Sequence, residues 1–272
     1  MKLLALIVVV VAAAVVGGVT AYFLLSSNKP AQGSPAVAYF CAGYSPYTAA
    51  PIQAIQLAEK GQLQNSIAYQ GQTFCIGAKL SSSQLQYLKN LTATSYLVGS
   101  QNAKVVVIEY LDTTCPYCAL FDYQYGALLS QYIQNGTVLY AVRYFPTHTA
   151  GFLQENQPQL FAAGVETWLA LTCIYNKTGG AAFYTALGSV YEIAARYIIY
   201  YLQTGNATVL NIYPYAQLQY VSSQYPQCRV NATAAQLVAT AQGAQNDVSA
   251  AANALGIPST MLGTPLFIIY RS

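Results

Sequence analysis

Cys115 and Cys118 are separated by Pro116 and Tyr117, and this Cys-Pro-Tyr-Cys run comes soon after the apolar stretch Lys104-Val-Val-Val-Ile-Glu-Tyr110. Two residues between two cysteines let the sulfurs bridge without opening a helix. Pro116 falls at the first helical position, where its missing N–H costs nothing. Cys115 then stands at the helix start, where unpaired backbone N–H groups and the helix dipole favour a negative charge and hence the thiolate. Cys118, one turn further in, is expected to be more buried, which suits a resolving thiol. The chemistry open to such a pair is thiol–disulfide exchange: Cys115 attacks a disulfide, or is attacked by a thiolate, and Cys118 releases the mixed disulfide by closing the ring. A zinc site would need a second CxxC or a close pair of histidines. The chain has one histidine, His148, in a polar Pro-Thr-His-Thr stretch that reads as a surface loop. A static disulfide is the other bland use of the motif, but a CxxC ring at a helix start is strained and readily reduced.

Stepping outward, Lys104 to Tyr110 is β-branched in the manner of a strand buried on both faces. A helix is predicted from Pro116 to about Gln134, ended by Asn135-Gly136, and a second strand from Thr137 to Phe145. Together they make a strand–helix–strand unit, which implies a parallel sheet. Ala- and Leu-rich runs near 157–175, 181–203, 213–224 and 232–255 read as helices, and Pro265 to Tyr270 as a last strand. Upstream, the residues contain an apolar run around Ala38–Cys41, a helical stretch near Pro51–Lys60, and two runs, Ser66–Gln70 and Thr73–Ile76, that pattern as a hairpin. Asp112 reads as a loop or turn residue.

The other four cysteines, Cys41, Cys75, Cys173 and Cys228, stand singly, as structural disulfides of an exported protein do. Sequence order favours Cys41–Cys75 and Cys173–Cys228, one pair on each side of the CxxC, although four cysteines permit three pairings. Export is also suggested by five N-x-[ST] sequons, at Asn90, Asn135, Asn176, Asn206 and Asn231, which would make the chain a glycoprotein. A chain rich in Asn, Ser and Thr produces some of these by chance. From Leu3 to Leu25 no residue is charged, and 23 predominantly apolar positions are enough to span a hydrocarbon core of roughly 30 Å. That length favours a retained signal anchor over a cleaved peptide, though Ala36-Val37-Ala38 offers a cleavage site. Residues 26–35 have linker composition.

Charged residues make up 7% of the chain, against about a quarter in an average soluble domain. Beyond residue 30 the formal charge is near balance, with nine Lys+Arg against eight Asp+Glu, so no basic stripe supports nucleic-acid binding. A surface this sparse in charge suits an acidic exterior, where ion pairs help little.

The run Val105-Val-Val-Ile-Glu-Tyr-Leu-Asp-Thr-Thr-Cys-Pro-Tyr-Cys118 resembles the active-site strand and helix start of the DsbA/DsbG-like thioredoxin-fold disulfide oxidoreductases, which are exported proteins. The resemblance extends over residues 97 to 271. It takes in the long helical block and Gly263-Thr264-Pro265, which looks like that family's loop whose proline is cis and faces the CxxC. It implies that Pro265 and the Thr264 backbone shape a substrate groove. It also implies that Glu109, in the place of the family's buried acid, relays the proton of Cys118. A carboxyl inside an apolar strand is costly to ionise and tends to hold a proton. The alternative is an edge position with the carboxylate reaching water. Pro-Tyr differs from the Pro-His of the strongest oxidants, so Pro116 and Tyr117 tune the Cys115 thiolate differently and the redox direction stays open. Family members usually continue past the cis-proline strand, whereas this sequence ends at Ser272. Either the sheet lacks an edge strand or residues 36–98 fill its place.

The expected organisation is thus a transmembrane signal anchor over 1–25, a linker over 26–35, a disulfide-stapled N-terminal region over 36–98, and a thioredoxin-like α/β domain over 99–272 with a helical insertion at about 150–255. The expected function is extracytoplasmic thiol–disulfide exchange, as a disulfide oxidase or isomerase, on exported proteins with Cys residues. The catalytic domain would face outward from a single-pass anchor in the cell membrane, and a membrane redox partner would reset the CxxC. No cofactor, metal or nucleic acid is expected. The rival from another class is a non-catalytic thioredoxin-like module that binds copper or acts as a chaperone.

Overall fold

The computed structural model describes residues 38–45, 48–64, 66–69 and 72–272. The anchor and linker expected over residues 1–35 lie outside the described residues, among which no helix is long and apolar enough to cross a membrane. In chain order the elements are β1 (Tyr39–Tyr44), α1 (Ala50–Glu59), β2 (Ser66–Tyr69), β3 (Gln72–Ile76), β4 (Ala78–Lys79), α2 (Ser82–Ala93), β5 (Tyr96–Gly99), β6 (Val105–Leu111), α3 (Pro116–Gln134) and β7 (Val138–Tyr144). There follow α4 (Thr147–Gln154), α5 (Pro158–Thr178), α6 (Gly180–Thr204), α7 (Tyr213–Gln224), α8 (Ala234–Leu255) and β8 (Leu266–Arg271).

β6, α3 and β7 form the expected strand–helix–strand unit, with β6 and β7 parallel from Val105↔Val138 to Leu111↔Tyr144. The six strands run in the order β4-β1-β8-β6-β7-β5. Apart from β6–β7 every pairing in this sheet is antiparallel, so the expected parallel sheet is corrected to a mixed one. The reason is local: β8 and β5 reach their neighbours without a second βαβ crossover of the same sense. β6 is buried at all seven positions, as a strand covered on both faces must be. Its side chains alternate between two cores. Val105, Val107 and Leu111 face a cluster that includes Ile55, Phe121, Leu129, Leu171 and Phe183 from α1, α3, α5 and α6. Val106, Ile108 and Tyr110 face Leu88 and Leu91 of α2 and Val248, Ala251 and Leu255 of α8.

The N-terminal segment fills the empty edge. β1 pairs antiparallel with β8 over Phe40↔Tyr270 to Tyr44↔Leu266, and β4 lies outside β1. Residues 38–272 make one compact unit, so the boundary expected at 98/99 does not divide two domains. The disulfides are Cys41–Cys75, joining β1 to β3 with Cα atoms 5.6 Å apart, and Cys173–Cys228, joining α5 to the short turn after α7 with Cα atoms 5.5 Å apart.

Four elements were not expected from the pattern: β4, α2, β5 and α4. α2 is capped by Ser81, whose hydroxyl accepts the Gln84 N–H while the Gln84 side chain accepts the Ser81 N–H, a capping box legible as Ser-x-x-Gln. β5 has only four residues. α4 starts with Thr-His-Thr and has glycine at position 151, weak helix formers that tertiary contacts hold. His148 is therefore on a helix and half-buried, which corrects its reading as a surface-loop residue.

Candidate active site

The CxxC sits where β6 hands over to α3. Cys115 is the N-cap of α3, its sulfur accepting the Cys118 N–H at 3.4 Å. Its thiol is 3.2 Å from the Thr264 carbonyl, to which it donates. The Thr264–Pro265 peptide bond is cis, and the Pro265 carbonyl accepts the Ser45 N–H at 3.1 Å, continuing the β1–β8 ladder past the proline. The six cysteines divide into two disulfides and the free pair Cys115 and Cys118. Cys118 is 1% exposed, and burial, its hydrogen bond with Cys115 and the nearby Cys115 and Glu109 charges push its thiol well above the usual range. Cys115 forms part of the wall of a cleft of about 430 Å³, with Pro116, Tyr117 and Thr264.

Glu109, 2% exposed, lies on β6 in mid-sheet, paired across to Val142 and Phe267, so it has no edge position. Its carboxyl accepts the Tyr140 hydroxyl at 2.6 Å. Burial raises it from 4.5 to about 8, the Tyr140 bond opposes this, and Asp122 adds to it. At neutral pH it is therefore mostly protonated, and loss of that proton is felt at Cys118.

Sequence reasoning missed a polar frame around the loop. Asp112 is a loop residue just after β6, and it is fully buried. Its carboxylate accepts the Thr114 N–H at 3.0 Å, the Thr149 N–H at 2.8 Å and the Thr149 hydroxyl at 2.5 Å, which satisfies a charge that burial would otherwise penalise. The first of these is an Asx turn, for which Asp-Thr-Thr was the available signal. The helical insertion caps three successive carbonyls: Tyr191 donates to Asp112, Gln217 to Thr113 at 2.8 Å, and Tyr213 to Thr114. No local pattern announces these contacts, since the partners are 79, 104 and 99 residues away. The insertion thus holds the backbone that presents Cys115.

Tyr44, at the end of β1, forms another wall of the cleft and was also missed. Its ring meets that of Tyr117 edge-on at 6.3 Å. It also lies against Gly263, where a Cβ would come within 2.9 Å of it, so only glycine fits there. Thr147 and His148 at the start of α4 complete the cleft, and Thr147 is tied to Thr264 by a 2.6 Å hydroxyl contact. Among the described residues no Lys, Arg, Asp or Glu lines it. Nor do they contain a group of three or more His, Cys, Asp or Glu side chains able to hold a metal ion.

Several solved structures are similar to the chain. Alpha-DsbA1 of Wolbachia pipientis is 23% identical, with 64% of this chain and 74% of that chain covered and a TM-score of 0.40. A protein-disulfide isomerase of Novosphingobium aromaticivorans is 17% identical, covering 64% and 85% at a TM-score of 0.37. DsbA of Mycobacterium tuberculosis in its reduced form is 14% identical, covering 64% and 81% at a TM-score of 0.36. No curated protein matches the sequence. The thioredoxin family model matches residues 91–177, the stretch that holds β6, the CxxC, α3 and β7, and on that match the chain carries a thioredoxin-like domain.

Proposed function

We propose that the chain is an extracytoplasmic protein thiol–disulfide oxidoreductase, an oxidase or isomerase that acts on exported proteins through Cys115 and Cys118. The observation that carries the reading is the free cysteine pair at the N-terminus of α3, facing a cis-proline loop, in a chain whose other cysteines are paired. In the forward direction a substrate thiolate attacks the Cys115 sulfur of the oxidised pair. The Cys115–Cys118 bond breaks, and Cys118 leaves as a thiolate that takes a proton from Glu109. A second substrate thiolate attacks the mixed disulfide, Cys115 departs, and two electrons have passed from substrate to protein. A membrane redox partner then removes them. Run backward, the same steps reduce or reshuffle a substrate disulfide, with Glu109 taking the Cys118 proton.

Outward orientation rests on the two structural disulfides, which persist in oxidising compartments. The five sequon asparagines are also exposed and so open to glycosylation. Residues 3–25 supply the anchor. No observation favours the copper-binding alternative: among the described residues no group of three or more His, Cys, Asp or Glu side chains is gathered to hold a metal ion.

The test uses the purified full-length chain. It should speed both the reduction of insulin by dithiothreitol and the oxidation of a reduced, unfolded substrate, and Cys115→Ser should fall to the uncatalysed rate in both. A chain that accelerates neither reaction overturns the reading.

A further inference from the structure

The fold separates the five sequons of the chain by what their side chains are already doing. A sequon is modified at the asparagine nitrogen and carries its recognition in the Ser or Thr hydroxyl two residues on. Asn90 and Asn176 lie within α2 and α5, and their threonines are committed: the Thr92 hydroxyl is paired with that of Tyr270 at 2.9 Å, and the Thr178 hydroxyl donates to the Ile174 carbonyl at 2.6 Å. After Asn231, the Thr233 hydroxyl belongs to the capping box of α8. Asn135-Gly-Thr137 and Asn206-Ala-Thr208 differ. In each, the asparagine Oδ1 accepts the threonine N–H, at 2.9 Å and 3.2 Å, while the asparagine nitrogen and the threonine hydroxyl make no hydrogen bond among the described residues.

Asn206 has a second feature. Gly205, with φ of +70°, ends α6 and turns the chain outward, and the exposed Asn206 then forms part of the wall of a hollow of about 390 Å³. The other walls are Arg196, Tyr197, Tyr200 and Val209. Tyr200, Leu202, Ile212 and Tyr215 are exposed at this junction of α6 and α7, so apolar surface stands uncovered around the sequon. Arg196 gives one N–H to Glu192 and keeps the rest of its donor fork. Aromatic faces beside a few polar donors, in a hollow within the range of about 300–1,000 Å³ of small-ligand sites, suit a sugar ring, which has an apolar C–H face and a rim of hydroxyls.

We propose that Asn206 carries an N-linked glycan whose first sugar lies in this hollow against Tyr197 and Tyr200. The proposal rests on the outward location above. The donor is a lipid-phosphate-linked oligosaccharide: the Asn206 amide nitrogen attacks its anomeric carbon, and the C–N bond forms as the C–O bond to phosphate breaks. The lipid phosphate leaves, and the amide gives up one proton to the transferase. The glycan then covers the tyrosines and accepts hydrogen bonds from Arg196.

The test takes the full-length chain from the membranes of the cells that make it. Cleavage after Lys and Arg places each of the five sequons on its own peptide, with Asn206 alone on residues 197–229. Mass spectrometry of the reduced, alkylated digest should find that peptide mainly as a glycopeptide. A bare Asn206 peptide overturns the proposal, whatever the other sequons carry. Placement in the hollow is read from thermal midpoints of wild type and Thr208→Ala, each with and without Tyr200→Ser. Thr208→Ala removes the sequon and leaves the Asn206 turn intact. It should lower the midpoint by about 2–4 °C when Tyr200 is present and leave it unchanged in the Tyr200→Ser chain. An equal loss in both backgrounds, or none in either, overturns the placement. Insulin reduction is measured on the same four chains and should be equal in all of them. A glycosylated chain without exchange activity would therefore sink the functional reading and leave this one standing, and an active chain bare at Asn206 would do the reverse.

Discussion

Glu109 is the residue whose chemistry is most altered by the fold. It holds its proton to about pH 8 in the folded chain, against an ordinary value of 4.5. Between those limits the folded chain binds a proton that the unfolded chain has lost, so this group's contribution is fully present below pH 4.5 and is lost as pH rises towards 8. Asp122, raised to about 7 by burial and by Glu192, acts in the same sense. Glu109→Gln keeps an acceptor for Tyr140 and removes the titration. Its unfolding free energy should exceed that of wild type at pH 8, and the fall between pH 5 and pH 8 should flatten by up to about 1 kcal/mol per pH unit, measured by urea denaturation. The step at Cys118 should slow by about 10- to 100-fold in stopped-flow exchange, through loss of the proton relay. Glu109 was legible because a carboxyl inside an apolar strand has few explanations. The place of His148 in the cleft wall was not, because it arrives on a helix whose sequence does not announce it.

At the scale of elements, the site is assembled from three sources: the β6–α3 turn that bears the cysteines, the insertion that caps the turn's carbonyls, and β1, which brings Tyr44 to the cleft. The first was readable from β-branching, Pro116 and Asn135-Gly136. The insertion was readable as helices but not as a clamp, since tyrosine hydroxyls meeting distant carbonyls leave no periodic trace. β1 was visible only as a short apolar run, and its role follows from pairing with β8. Cys41–Cys75 closes 34 residues around β1. Replacing both cysteines by serine should cost about 3–4 kcal/mol in thermal or urea unfolding under non-reducing conditions. Because Tyr44 stands three residues from Cys41, the double variant should also show a raised KM for peptide disulfides, with alkylation of Cys115 unchanged.

At the scale of the whole molecule, two sheet faces are covered by different parts of the chain, and the sheet is completed from its N-terminal side. Sequence reading posed that completion as one of two options, and pairing of β1 with β8 decides it. Charge plays little part in holding the fold: the described residues contain the ion pairs Arg143–Asp247, half-buried between β7 and α8, and Arg196–Glu192 on the surface of α6. Burial of apolar strands, two disulfides and the hydrogen-bonded frame around Asp112 do the rest, and all of these converge on presenting one sulfur. The claim that this sulfur performs exchange is tested most directly by trapping. Cys118→Ser, incubated with a peptide disulfide and resolved by mass spectrometry, should accumulate a mixed disulfide at Cys115 and at no other cysteine. A variant that forms no adduct, or one that forms it at Cys41, Cys75, Cys173 or Cys228, would contradict the account.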